Sequence, residues 1–110
     1  MMNFEAVIRT VGSLDAAELR RWIAEHWVRP EAAAEGYLFH EVDVARIRLI
    51  IELRRDLAID DEALPVVLHL LDQVYALRRR LRAAYEAIDA QPAEIRQALR
   101  IRLSGPPDEK

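Results

Sequence analysis

Three histidines, His26, His40 and His69, are the first residues in this chain whose type invites chemistry. A metal site needs imidazoles, thiolates or carboxylates converging on one ion, and pairs at i,i+3 or i,i+4 on a helix are a common source. None of the three has a histidine or cysteine at either spacing, so they read as partly exposed side chains without a metal. The run Asp60-Asp61-Glu62 has the composition of an acid–base or metal cluster. It equally has the composition of a helix N-terminus, where the macrodipole favours carboxylates, and that reading is preferred. Ser13 and Ser104 are the only serines, one in a turn and one in a tail, and no Ser-His-Asp arrangement follows. There is no glycine-rich phosphate loop, and the absence of cysteine removes disulfides, thiolate metal sites and thiol nucleophiles. No enzyme activity and no cofactor are expected.

Macromolecular binding is the remaining chemistry, and charge bears on it directly. The 110 residues carry a formal net charge of −3, which gives no global support to phosphate neutralisation. Residues 1–45 hold eight acids against four bases, Arg9, Arg20, Arg21 and Arg29. The bases gather later, in Arg78, Arg79, Arg80 and Arg82. That run reads as the solvated flank of a helix whose register is fixed by Leu77 and Leu81, in preference to a nucleic-acid patch. Trp22 and Trp27 read as core anchors instead of a stacking platform. No apolar run approaches the ~18 residues of a membrane span. The N-terminal "MMNFEAVIRT" lacks a basic region followed by an apolar core. The expected compartment is the cytoplasm, with nucleoid association only through a partner.

The elements that must position these groups are mostly helical. Asn3 caps a short helix bearing Phe4, Val7, Ile8 and Val11, and Gly12 suits its end. Asp15, with Glu18 three residues on, forms a capping-box variant opening a second helix to about His26, with Leu19, Trp22 and Ile23 inward. Two short helices across a glycine turn make a helix-turn-helix. "WVRP" (Trp27–Pro30) and "GYLF" (Gly36–Phe39) read as short strands of a wing around a loop bracketed by Pro30 and Gly36. A third helix, from His40 to about Leu57, turns Val44, Ile47, Ile50, Ile51 and Leu53 inward. After "AIDDEA", with Asp60 or Asp61 as cap, a long helix starts near Glu62 and runs to about Ala90. Pro65 is tolerable only in its first turn. Within that helix Val67, Leu70, Val74, Leu77, Leu81, Ala84 and Ile88 recur at spacings of three and four, an a/d seam of about three heptads. A lone helix cannot bury such a seam, so it predicts a dimer. Pro92 opens a last short helix with Ile95 and Leu99 on one face. The expected organisation is a winged unit over 1–57, a helical segment over 58–103 packed on it as a single compact unit, and a disordered tail over 104–110.

The string "LRRWIAEHWVRPEAAAEGYLFHEVDVARIRLIIELRRDL" resembles the MerR-type winged helix. The resemblance falls on Trp27-Val28-Arg29-Pro30, on Gly36-Tyr37-Leu38-Phe39, and on Asp43 to Ile50. The departures lie where DNA is touched. Leu38 stands at the family's wing arginine, Trp22 at its second recognition-helix tyrosine, and His26 at the glycine before its first strand, while Arg20 keeps the recognition-helix arginine. The downstream stretch is similar to chaperone modulators of the CbpM type, through Leu53-Arg54, Leu57, Ile59-Asp60, Leu71-Asp72 and Val74. Together the two resemblances cover about 75 residues.

The second resemblance implies a homodimer that binds the J-domain of a DnaJ/CbpA-like co-chaperone and inhibits its action with DnaK. J-domains of that kind present a basic helix, so an inhibitor needs acidic surface. Glu41 and Asp43 at the start of the third helix, with Asp56, Asp60 and Asp61 after its end, are the expected J-domain contacts. The alternative is a MerR-like transcriptional regulator whose dimer brings Arg20, Arg21 and Arg29 to DNA. A helical dimer with no partner deducible from the sequence is a third reading.

Overall fold

A computed structural model of the protein describes residues 1–105. Its elements are α1 (Phe4–Val11), α2 (Ala16–Ala24), β1 (Glu31–Ala33), β2 (Gly36–Leu38), α3 (Glu41–Arg55), α4 (Leu64–Asp89) and α5 (Ala93–Ser104). The protein is mainly α, with one two-stranded antiparallel wing followed by a long helix and a short terminal one.

Side chains at the helix ends account for the element boundaries. Asn3 Oδ1 accepts from Ala6 N at 2.8 Å to open α1, and Gly12 closes it in the left-handed region at φ 80. At α2 the capping box is complete: Glu18 N donates to Asp15 Oδ1 at 2.8 Å, and Asp15 N to Glu18 Oε1 at 3.3 Å. The end of α2 is a Schellman turn, with His26 N bonded to Ile23 O and Trp27 N to Trp22 O. Such a turn needs a left-handed residue at its C′ position, and His26 fills it at φ 65. This is the position where the resemblance puts a glycine, and only a residue without Cβ adopts that conformation at no steric cost.

The same turn corrects the sequence-based first strand. Trp27 and Val28 are both buried, and both their N–H groups point back at Trp22 O instead of entering a ladder. Pro30 has no N–H to offer one. The strand therefore begins only at Glu31, in the segment expected to be loop, and pairs Glu31 with Leu38, Ala32 with Tyr37 and Ala33 with Gly36. The second strand lies where it was expected but ends at Leu38. Phe39 instead makes a bridge to the N-terminus, with Met2 N donating to Phe39 O at 2.9 Å and Phe39 N to Met2 O at 2.7 Å.

In α3 the His40 N–H is received by Asp43 Oδ2 at 2.8 Å, while Ile47, Ile50 and Leu53 are buried. Asp60 is the cap ahead of α4: its Oδ1 accepts from Ala63 N at 2.8 Å, and its carbonyl from Leu64 N at 2.9 Å. Residues 61–63 form a turn, so α4 starts two residues later than expected, with Pro65 in the first turn where its missing N–H goes unused.

The chain divides into two compact units, Met1–Leu68 and a second from His69 onward. Leu64 and Leu68 are buried, so the opening turns of α4 belong with the winged helix and the first unit runs to Leu68 instead of residue 57. Its core also takes in Val7, Leu14, Leu19, Trp22, Trp27, Val28 and Phe39, with Phe4 and Tyr37 edge-on to Phe39 at 6.4 and 6.3 Å. The second unit holds the rest of α4 and α5. Of the tail expected from 104 to 110, Ser104 is instead helical and its Oγ donates to Arg100 O at 2.8 Å; residues 106–110 lie outside the described residues.

Candidate macromolecule-binding face

Helix α2 occupies the recognition position of a helix-turn-helix, and β1–β2 flanks it as the wing. Burial of Leu19 and Trp22 fixes the helix rotation and leaves Arg20 and Arg21 exposed. The arginines are nevertheless engaged within the protein. Arg21 Nη2 bonds Asp61 Oδ2 at 2.5 Å and its guanidinium lies over the Trp27 ring, 5.6 Å from the centroid. Arg54 Nη1 meets Asp61 Oδ1 at 2.6 Å from α3. One carboxylate thus joins α2, α3 and the turn before α4. Arg29 folds back so that its Nε donates to His26 O at 3.3 Å. Arg20 lies over the Phe4 ring at 5.3 Å, in an open groove of about 700 Å³ that Glu5, Glu35 and Tyr37 also line.

The wing adds no base. Its strands present Glu31, which bonds His40 Nε2 at 2.8 Å, and the exposed Tyr37, while Leu38 is half-buried. Among the described residues, Arg20 is therefore the one guanidinium on this face that no carboxylate or carbonyl holds, and two carboxylates share its groove. That arrangement can neutralise few phosphates.

The five expected J-domain contacts fall into two groups. Glu41 and Asp43 stand at one end of α3, and Asp56, Asp60 and Asp61 beyond the other, about 22 Å away for a 15-residue helix. Within those groups Asp43 and Asp60 cap backbone N–H groups and Asp61 holds two arginines, whereas Glu41 and Asp56 are exposed and make no ion pair among the described residues. The three histidines are not brought together, and no group of three His, Cys, Asp or Glu side chains converges among the described residues. Of the seam, Val67 and Ile88 are half-buried. Leu70, Val74, Leu77, Leu81 and Ala84 are exposed on the single chain.

Sequence reasoning missed Phe4, Glu5 and Tyr37, which line the groove, and Arg54, which completes the Asp61 cluster. The Arg21–Asp61 pair spans 40 residues, and nothing local announces it.

The Arg21 hydrogen bond, with the charges of Arg54 and Arg21 beside it, holds the Asp61 carboxyl below the usual carboxylate range, against an opposing effect of partial desolvation. A lowered folded-state pKa contributes stability that is present above the unfolded value of roughly 3.9 and is lost as pH falls through the folded value. The cluster is open to solvent, so its contribution is about 1 kcal/mol or less. Asp61→Asn should lower the urea midpoint at pH 7 and bring the variant and wild-type midpoints together as pH falls through the folded-state value of the carboxyl. A midpoint difference that persists unchanged into acid would show that the carboxylate charge is not what stabilises this junction.

A family model described as "MerR HTH family regulatory protein" matches residues 6–84. The chain belongs to the MerR HTH regulatory family. Comparison with curated proteins and with solved structures gives no match. The MerR segment takes in α1 from Ala6, α2, the wing, α3 and α4 as far as Ala84, and it stops short of α5. Among the described residues, no helix of this MerR-family protein is long and apolar enough to cross a membrane.

Proposed function

We propose that this MerR-family protein is a chaperone modulator: a homodimer that binds the J-domain of a DnaJ/CbpA-like co-chaperone and keeps it from productive use with DnaK. The observation that carries this reading is the state of the recognition face. Arg21 is held by Asp61, Arg29 is folded onto His26, the wing has no arginine, and Glu5 and Glu35 share the groove with Arg20. Up to Leu68 the chain has thirteen acids against eight bases, a surface suited to a basic partner and unsuited to phosphate. The CbpM-like residues Leu53-Arg54, Leu57 and Ile59-Asp60 fall at the end of α3 and the turn that follows. There Ala58 adopts φ 54 and Ile59 N reaches Leu53 O, so this stretch forms a defined corner. Glu41 and Asp56 are the exposed acids best placed to steer a basic helix. Dimerisation through the α4 seam, from Val67 to Ile88, is part of the same reading.

The second reading, a DNA-binding transcriptional regulator, is favoured by the family match and by the exposed guanidinium of Arg20. The two separate cleanly in solution. Calorimetry with the cognate J-domain should show a complex. Glu41→Lys with Asp56→Lys should slow its association and flatten the salt dependence, because rim charges act mainly on encounter. Fluorescence anisotropy against the protein's own promoter region should show no tight site at roughly 150 mM salt. Submicromolar, sequence-selective binding there, with no J-domain complex, would put the regulator reading first.

A further inference from the structure

Among its described residues the second unit contains no buried side chain. From His69 to Gly105 the least exposed residues are Leu71, Ala76, Ile88 and Arg96, all only half-buried, and α5 buries nothing. α5 nevertheless carries Ile95, Leu99, Ile101 and Leu103, exposed at 49%, 37%, 67% and 58%. Its sequence is that of a packed helix, not of a tail. Arg100 pairs with Asp89 and ties α5 to the end of α4, and a hollow of about 410 Å³ lies there, lined by Tyr85, Asp89, Arg100, Leu103 and Ser104. A helical hairpin of this size has no apolar interior of its own and cannot hold its helices together unaided.

We propose that α5, which lies outside the matched MerR segment, is a structural part of the dimer core. In this arrangement the α4–α5 hairpin of one copy packs on that of a second copy, so that four helices share one interior. The inference rests on the dimer reading above and extends it from one helix to two. Two observations select a second copy as the occupant. The first is area. Ten large apolar residues of this unit are at least one-third exposed, together on the order of 800 Å², about what each partner of a standard interface buries. The second is charge. From His69 to Gly105 there are seven arginines and four acids, so a basic partner helix is repelled here, whereas a second copy brings four acids of its own to pair with the arginines.

The test uses the full chain with Ile95→Ala and Leu99→Ala. Alanine keeps helix propensity and removes only the apolar groups. Sedimentation velocity and far-UV circular dichroism over a dilution series should show the wild type as a dimer that loses helicity as it dissociates. The variant's dissociation constant should rise at least about 100-fold. Val42→Ala, on an exposed side chain of α3, should leave it unchanged. A variant that dimerises as tightly as wild type, with equal helicity, overturns the role of α5 and leaves the α4 dimer standing. A wild type that is monomeric at every concentration overturns the dimer itself. If that monomer binds the J-domain and Ile95→Ala/Leu99→Ala weakens the complex, the occupant of this surface is the partner protein and not a second copy.

Discussion

Leu77→Glu combined with Leu81→Glu should turn the proposed dimer into a monomer or an unfolded chain, read by light scattering together with far-UV circular dichroism. Both leucines lie on the α4 seam and are exposed on the single chain, at 60% and 55%. In a dimer they meet their counterparts on the second copy, and each Leu→Glu change places a carboxylate where an apolar contact stood. Burying an unpaired carboxylate costs far more than the one to three kcal/mol, roughly, that a buried leucine contributes, so the interface opens instead. Two such residues per chain put four charges into one seam. A folded dimer that survives the double substitution would place the interface elsewhere.

Trp22→Ala should destabilise the first unit by about 3–5 kcal/mol, a large part of what a domain this small possesses. The Trp22 side chain is almost wholly buried, and the Trp22 carbonyl receives the N–H groups of Trp27 and Val28 just beyond α2. Among the described residues the indole Nε1–H has no hydrogen-bond partner, a defect worth on the order of 1–3 kcal/mol. Trp22→Phe should therefore cost much less than the alanine change, because loss of the unpartnered donor offsets part of the lost volume. Urea denaturation of both variants checks the pair. Equal losses from the two would mean that the indole N–H is satisfied in solution and that its hydrogen bond, not the lost volume, sets the cost.

Much of the fold was legible because it is written in local side-chain chemistry. Asn3, the Asp15–Glu18 pair and Asp60 each bond a backbone N–H three residues on, and each marked a helix start in the sequence. The seam from Val67 to Ile88 stood out because it repeats. The first strand was illegible for an equally physical reason. Glu31-Ala32-Ala33 is exposed along its whole length, so it has no hydrophobic alternation, while the apolar Trp27-Val28 beside it owes its burial to a helix-capping turn. His26 at φ 65 illustrates how a departure from a family pattern gains meaning once the backbone is known. The histidine accepts a glycine's conformation because the two Schellman hydrogen bonds hold it there.

The binding face was only half legible. Its acidic character could be counted from the sequence, and the missing wing arginine appeared as Leu38. That Arg21 is diverted to Asp61 depends on packing α2 against the turn after α3, which no periodicity encodes. Asp61 thereby changes from an expected partner contact into a member of the scaffold, leaving Glu41 and Asp56 as the exposed acids of the expected set.

The most direct test of the account is a steady-state ATPase titration with purified DnaK, its cognate J-domain protein and increasing amounts of this protein. Dose-dependent suppression of the J-domain-stimulated turnover is expected, with the basal DnaK rate untouched. A stimulated rate that stays constant at saturating protein, with no J-domain binding in calorimetry, would contradict the modulator reading and leave a MerR-family winged helix whose target lies elsewhere.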